Sequence, residues 1–203
     1  MKCWQSTLPT FMRFSQILLL LTACSLSACR TPLSEIRMAA ATPPPPPPPP
    51  MYDWQGDDVT GPLKVKINLT EQKAQLFKGG KNVGWTYVAT GVATRPTPTG
   101  NFSIIEKKAD KASNRFGVIV DADGSVVNSD ATNGVTHVPP GGHFVGAPMP
   151  HWMRLTNYGV GMHAGYIPNP GSTASHGCIR LPAYIAEKLF ENAVLGTDVS
   201  IFP

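Results

Sequence analysis

An unbroken run of eight prolines, from Pro43 to Pro50, is the feature that most constrains how this chain of 203 residues folds. Proline fixes φ near −65° and lacks an amide hydrogen, so such a run fits neither a helix interior nor a central strand. It favours an extended polyproline II spacer of about 3.1 Å per residue, roughly 25 Å for the run. We therefore interpret residues 29–60 as a tether. Residues 61–203, about 145 residues, are long enough for one domain with its own core.

The segment before the prolines has the composition of a secretory signal peptide, which we assign to residues 1–28. Lys2 and Arg13 precede a short apolar run, residues 14–21, which is too short for a permanent membrane helix. Small residues then lead into Cys29, in a pattern that resembles the lipobox of bacterial lipoproteins. Cys24 has a similar setting, but it leaves a shorter apolar stretch; a plain signal peptide is the alternative. We expect an exported periplasmic or cell-envelope protein, anchored to a membrane through acylated Cys29.

Cysteine and charge counts narrow the classes of function. Of the four cysteines, Cys3 and Cys24 would be removed with the signal peptide and Cys29 would carry lipid. Cys178 is then the only free thiol, either an inert buried residue or a reactive one. Without the signal peptide the chain keeps 15 basic and 13 acidic residues, a near balance that gives no reason to expect nucleic acid as a partner.

The domain begins with β-strand patterns. Leu63, Val65, Ile67 and Leu69 alternate with polar residues, which is typical of a half-buried strand. The following segments predict a hairpin around Gly79-Gly80 and a series of further short strands. The hairpin strands are residues 74–77 and 83–88, and the others are residues 102–105, 116–120, 153–156, 160–163 and 199–201.

One helix is predicted after Leu181-Pro182, because proline is tolerated in a first helical turn. Its apolar face consists of Ile185, Leu189 and Ala193, broadened by Ala186, Phe190 and Val194, and Gly196 would end it. Residues 107–150 show little periodicity, so we interpret them as a lid or insertion decorated by His137, His143 and His151. The predicted fold class is mainly β with one helix after the cysteine.

Cys178 has two histidines near it in sequence, His163 and His176. A thiol attacks as its thiolate, and a neighbouring imidazole or cation lowers its pKa, so a cysteine–histidine pair is the minimum for acyl transfer through a thioester. We favour His163 as the general base, because a separate strand can place it independently of the Cys178 loop. No acidic residue is near His163 in sequence, so a backbone carbonyl would orient its other ring nitrogen.

The loop around the cysteine supplies candidate oxyanion donors. The backbone amides of His176, Gly177 and Cys178 could stabilise a tetrahedral intermediate, and Gly177 permits unusual backbone geometry beside Ser175. Arg180 suits either a carboxylate of the substrate or a structural ion pair. A zinc site from the cysteine and both histidines is an alternative that lacks a fourth protein ligand. We expect no metal and no cofactor.

The segment Ser175-His176-Gly177-Cys178-Ile179-Arg180-Leu181, preceded by His163-Ala164-Gly165, resembles the active-site signature of the L,D-transpeptidase catalytic domain, or YkuD domain. Residues 67–77 resemble the opening hairpin of that family, and residues 97–102 resemble its Thr-Pro-x-Gly-x-Phe loop. The resemblance covers roughly residues 62–202.

This resemblance implies a β-sandwich-like fold and peptidoglycan stem peptides as substrate. Cys178 would attack a tetrapeptide stem, expel D-alanine, and pass the acyl group to an amine, forming a 3→3 cross-link or attaching a protein. His163 would be the general base oriented by the Ala164 carbonyl, His176 would support the loop, and Arg180 would support the loop or bind carboxylates. Carbapenems would acylate Cys178. An L,D-carboxypeptidase or hydrolase, and a non-catalytic lipoprotein that tethers the wall, remain alternatives.

Overall fold

The structure is a computed structural model that describes residues 46–203. The predicted signal peptide, the predicted lipid site Cys29 and the first prolines of the spacer lie outside the described residues. Residues 46–50 of the proline run are exposed and belong to no helix or strand. Within the described part of the chain, no helix is both long and apolar enough to cross a membrane.

Residues 46–203 contain thirteen strands and one helix, which confirms a mainly β fold. The elements are β1 Tyr52–Trp54, β2 Leu63–Asn68, β3 Lys73–Lys78, β4 Lys81–Tyr87, β5 Gly100–Ser103, β6 Glu106–Lys108, β7 Ala112–Val120, β8 Val126–Thr132, β9 His143–Pro148, β10 Trp152–Arg154, β11 Gly161–Ala164, β12 Ile179–Leu181, α1 Ala183–Asn192 and β13 Asp198–Phe202.

Six strands form the largest sheet, in the order β1-β4-β3-β2-β13-β5. The alternation in β2 places Leu63, Val65 and Ile67 in the core, as predicted. The predicted hairpin of β3 and β4 is present, with positive φ at both Gly79 and Gly80 in its turn. The terminal strand β13 lies between β2 and β5, so both ends of the domain meet in one sheet.

A second sheet, in the order β12-β11-β10-β6, carries the candidate site residues His163 and Arg180. Strands β11 and β12 are parallel, and His163 pairs with Arg180 in their register. Since Cys178 immediately precedes β12, this register brings the nucleophile candidate beside the start of the strand that carries His163. Side chains of both sheets and the helix share one hydrophobic core.

Helix α1 follows β12 directly, and the prediction of one helix after the cysteine is confirmed among the described residues. Pro182 is its N-cap, and Ile185 and Leu189 are fully buried on the predicted face. The predicted end was wrong. Ala193 has extended backbone, φ −79° and ψ 143°, and Val194 is 68% exposed beyond the helix.

Strand β1 and the strands β8 and β9 were not predicted, whereas the strand predicted at residues 116–120 is the second part of β7. Strand β1 lies inside the range that we assigned to the tether, yet it pairs with β4 at the edge of the six-stranded sheet. Residues 107–150, expected to be mostly irregular, contain a three-stranded sheet in the order β8-β7-β9. Nearly every residue of β8 is exposed, so this strand has no alternation of apolar and polar side chains to reveal it.

Candidate active site

The candidate site lies where the loop of residues 174–178, hereafter the Cys178 loop, meets strands β11 and β12. Ala89 and Arg180 exchange two backbone hydrogen bonds, of 3.0 and 3.1 Å. The amides of Ala174 and Ser175 both donate to the carbonyl of Thr90 at 3.0 Å. The loop is therefore held between β11 on one side and residues 89–92 on the other.

His163 is buried, with 6% of its surface exposed, and its ring has one defined hydrogen bond. Nδ1 lies 2.7 Å from the carbonyl oxygen of Ala164. Because a carbonyl only accepts, Nδ1 carries the proton and Nε2 keeps its lone pair. Burial lowers the pKa of His163 to about 4, although the Ala164 bond opposes that shift; the charge of Arg180 adds to it. The imidazole is thus neutral at physiological pH, as a general base requires.

Cys178 is a half-buried free thiol. Its hydrogen bond goes to the carbonyl of Gly159, at 3.7 Å, and not to the imidazole of His163. Burial raises the pKa of the Cys178 thiol above its usual value, and a backbone hydrogen bond from Gly161 and the charge of Arg180 only partly offset this. The expectation of a thiol pKa lowered by its neighbours was therefore wrong for this state, because loss of hydration outweighs the nearby cations.

The Cys178 loop has a backbone geometry that depends on glycine. Gly177 has φ +113°, a conformation that side chains with a Cβ rarely adopt. Its amide donates to the hydroxyl of Ser175 at 3.1 Å, and that hydroxyl donates to the carbonyl of Cys178. The Gly177 amide is thus engaged, contrary to its expected place among the oxyanion donors. In the described residues, no protein acceptor is bonded to the amides of His176 and Cys178.

Two buried polar side chains that sequence reasoning did not assign to the site also hold the Cys178 loop. The hydroxyl of Thr97 donates to the carbonyl of Gly177 at 2.8 Å and accepts from the amide of Gly91 at 2.9 Å. Gln72, which is 2% exposed, accepts from the amide of Thr90 at 2.8 Å. Thr97 begins the quoted Thr-Pro-x-Gly-x-Phe loop, so the motif was a signal, but its partner is distant in sequence.

His176 is directed toward the three-stranded sheet. Its Nε2 lies 3.2 Å from a carboxylate oxygen of Asp130 on β8, and its ring centroid lies 4.4 Å from that of Phe116 on β7. Burial lowers the pKa of His176, and Asp130 opposes that change, while Arg95 and Arg180 reinforce it. His176 therefore connects the Cys178 loop to β7 and β8.

The remaining candidates separate into different environments. Arg180 has no carboxylate within ion-pair distance in residues 46–203; its guanidinium donates to the carbonyl of Tyr166 at 3.4 Å. His151 stacks on Phe190 of the helix, with ring centroids 5.5 Å apart, so it does not decorate the three-stranded sheet. His143 lies on β9 and His137 in the exposed loop before it.

The zinc alternative requires His163, His176 and Cys178 to converge. His163 is bonded to Ala164 and His176 to Asp130, so the two imidazoles are directed toward different neighbours. Over the described part of the chain, no three histidine, cysteine, aspartate or glutamate side chains cluster closely enough to bind a metal ion. The positions of these three side chains therefore do not support the hypothesis of a zinc site.

The fold and the site define a class of protein: a mainly β domain in which a cysteine loop leads into one strand and a buried, neutral histidine lies on the parallel strand beside it. The sequence profile of the L,D-transpeptidase catalytic domain, YkuD, matches residues 62–201. The chain therefore belongs to the YkuD L,D-transpeptidase catalytic-domain family.

Solved structures agree with the family at the level of the fold. A cysteine-to-serine variant of the Enterococcus faecium L,D-transpeptidase is 26% identical, with a TM-score of 0.53, over 70% of this chain and 50% of that one. An L,D-transpeptidase from Mycobacterium smegmatis is 20% identical, with a TM-score of 0.52, over 70% and 58%. LdtMt1 in complex with imipenem is 21% identical, with a TM-score of 0.51, over 69% and 58%.

This chain thus spans 50–58% of the lengths of these three structures. No curated protein sequence matches the chain closely enough to count as a relative.

Proposed function

We propose that the protein is an exported cysteine L,D-transpeptidase that acts on peptidoglycan stem peptides. The observation that carries this proposal is the hydrogen bond from Nδ1 of His163 to the carbonyl of Ala164, 2.7 Å long. It leaves Nε2 unprotonated on the strand beside Cys178, where a base for the thiol is needed. Membership of the YkuD family supports the choice of substrate class.

The first step is attack by sulfur on the amide that follows the third residue of a tetrapeptide stem. The resting pair is a neutral thiol and a neutral imidazole, so Nε2 of His163 takes the thiol proton as the bond from Sγ to the carbonyl carbon forms. The amides of His176 and Cys178 are the donors that remain for the oxyanion. Collapse of the intermediate breaks the C–N bond, and the imidazolium gives its proton to the departing amine of D-alanine.

The second step returns sulfur to its thiol form. An amine of another stem loses a proton to Nε2 of His163, attacks the thioester carbon, and displaces sulfur, which regains the proton. An amine acceptor gives a 3→3 cross-link or a protein attached to the wall, whereas water gives a tripeptide. We also propose that carbapenems acylate Cys178, since LdtMt1 has been solved in complex with imipenem.

The decisive experiment incubates the full-length protein with disaccharide-tetrapeptides and follows the products by mass spectrometry. Dimer formation with loss of alanine supports transpeptidation, and tripeptide without dimer supports the carboxypeptidase alternative. Cys178→Ala and His163→Gln should each abolish both products. No product from the native protein or from Cys178→Ala would leave the non-catalytic wall-tethering lipoprotein as the better description, whereas equal product from both would show that Cys178 is not the nucleophile.

We further propose that Cys29 carries the lipid anchor and that the prolines hold the domain away from the membrane. In cells, the native protein should fractionate with membranes, and Cys29→Ser should release it, while Cys24→Ser should have no effect. Release by Cys24→Ser alone would reassign the lipid site. Membrane retention of a variant lacking both cysteines would contradict lipid anchoring.

A further inference from the structure

Two arginines lie over one aromatic ring next to the candidate site. The guanidinium carbon of Arg95 lies 4.9 Å from the ring centroid of Phe116, and that of Arg115 lies 5.2 Å from the same centroid. The Phe116 ring in turn contacts His176 of the Cys178 loop, with centroids 4.4 Å apart. Arg95 precedes the turn at Thr97, whereas Arg115 and Phe116 lie on β7, so separate parts of the chain bring these charges together.

The backbone of Arg95 lies directly against the Cys178 loop. A Cβ added at Gly91 would lie 2.1 Å from the Arg95 carbonyl oxygen and 2.9 Å from the Cα of Gly177. A Cβ added at Gly177 would lie 3.7 Å from the same oxygen. The charge of Arg95 also lowers the pKa of His176. The backbone of Arg95 therefore lies close to Gly177, the residue before Cys178, even though the Arg95 side chain is exposed.

Neither arginine is neutralised by the protein. In residues 46–203, no carboxylate lies within 4.0 Å of the guanidinium of Arg95 or Arg115, whereas Arg154 is paired with Glu106 at 3.0 Å. Asp130 is the acidic residue whose charge acts on His176, and its carboxylate is bonded to that imidazole at 3.2 Å. A near-balanced chain thus places unpaired positive charge beside the candidate site.

We propose that Arg95 and Arg115 form a carboxylate-binding site that selects stem peptides with free carboxylates over stems in which these are amidated. Guanidinium groups bind carboxylates through two parallel N–H donors, and stacking on an aromatic face leaves those in-plane donors available. Both guanidinium groups lie over the Phe116 ring, 4.9 and 5.2 Å from its centroid. The inference rests on the proposed function, because it takes the stem peptide to be the molecule that binds beside Cys178.

The site is distinct from Arg180, which lies on β12 and donates to the carbonyl of Tyr166. The guanidinium groups of Arg95 and Arg115 instead lie over the ring of Phe116. A carboxylate bound there would contribute mainly to affinity, because it is not part of the amide that reacts. Loss of either arginine should therefore raise KM and leave kcat nearly unchanged.

The test measures binding separately from turnover. The full-length Cys178→Ala protein is titrated with a tetrapeptide stem and with stems in which each free carboxylate is converted, one at a time, to a primary amide. We expect one of these amides to weaken binding about five- to tenfold, the range between an exposed ion pair and a charged hydrogen bond. Arg95→Gln or Arg115→Gln should weaken binding of the free stem by a similar factor and leave that amide unaffected.

Conservative and remote variants separate recognition from folding. Arg95→Lys keeps the charge but loses the planar fork, so it should restore only part of the affinity. Lys81→Gln removes an exposed positive charge from the far end of β4 and should leave every affinity unchanged. Equal affinity for free and amidated stems would overturn the inference, as would an arginine variant that weakens binding of both equally. Failure of the native protein to form any product would instead count against the proposed function.

Discussion

The hydroxyl of Thr97 offers the sharpest test of how the Cys178 loop is held. Thr97 is 5% exposed, and it joins the carbonyl of Gly177 to the amide of Gly91 through hydrogen bonds of 2.8 and 2.9 Å. Thr97→Val keeps the shape of the side chain and replaces the hydroxyl with a methyl group. The substitution leaves one buried acceptor and one buried donor without their partner.

The stability cost follows from those two groups. Leaving a buried polar group without its hydrogen bond costs about 1–3 kcal/mol, so Thr97→Val, which affects two such groups, should lower the free energy of unfolding by roughly 2–6 kcal/mol. Thr97→Ser keeps the hydroxyl and removes one methyl group, for which the loss is about 1 kcal/mol. Chemical denaturation of the two variants and the native protein measures this difference directly.

The effect on reactivity follows from the position of the Gly177 carbonyl. That carbonyl belongs to the peptide unit whose amide nitrogen is that of Cys178, one of the two proposed oxyanion donors. A rotation of this unit displaces the donor, and such misplacement costs about 10- to 100-fold in rate. We expect carbapenem acylation of Cys178, followed by intact-protein mass spectrometry, to slow by that factor in Thr97→Val and by less than threefold in Thr97→Ser.

The denaturation and acylation measurements together decide whether the Thr97 hydroxyl positions the Cys178 amide. Acylation rates are compared at a temperature where all three proteins are folded, so that a lower rate cannot result from unfolding. If Thr97→Val is destabilised but acylates at the native rate, the hydroxyl does not position the nucleophile. If Thr97→Ser is as slow as Thr97→Val, packing of the methyl group matters and the hydrogen bonds do not.

Three further predictions concern the same site. The folded pKa of His163, about 4 against an ordinary 6.5, means that the unfolded chain takes up the proton first as the pH falls. Relative to His163→Gln, the native protein should therefore lose roughly 3 kcal/mol of unfolding free energy between pH 6.5 and 4, and a pH-independent difference would contradict the burial argument. Gly177→Ala should lower the free energy of unfolding by roughly 1–3 kcal/mol in denaturation experiments, because alanine is strained at the φ of +113° that Gly177 adopts. An unchanged free energy of unfolding would show that this position tolerates a Cβ without strain. Asp130→Asn should lower the pKa of His176 further in an NMR titration, because the carboxylate of Asp130 raises it; an unchanged or higher value would exclude the ion pair.

The parts of the fold that could be predicted are those with one buried face. The alternation of Leu63, Val65 and Ile67 in β2 and the apolar face of α1 both reflect burial, which the residue types reveal. Strand β8 could not be found in this way, because its exposed residues are held by pairing with β7 and not by burial. Strand β1 was missed for a related reason: it is three residues long and follows directly on the prolines.

The site, too, has parts that the sequence predicts and parts that only the folded structure shows. Cys178, His163 and their loop could be proposed from a local motif, and the need for a backbone carbonyl beside His163 followed from the lack of a nearby acid in sequence. The Thr97 hydroxyl and the Gly177 carbonyl are 80 residues apart, and no local pattern specifies such a contact. The pKa of Cys178 was also beyond sequence reasoning, since it depends on a balance between burial and the charges of Arg180 and Arg154 that only packing defines.

The assignment of the base ultimately depends on which direction each imidazole faces. His176 is two residues from Cys178, and proximity in sequence would favour it, yet its Nε2 is committed to Asp130 and its ring to Phe116. His163 is fifteen residues away, and the parallel register of β11 and β12 brings its strand beside the nucleophile. Burial lowers the pKa of His163 to about 4, so its imidazole is neutral at physiological pH, which is the form that the proposed base needs. Burial of Cys178 raises the pKa of its thiol, so in the proposed mechanism the proton would pass to His163 during the attack and not in a step that precedes it.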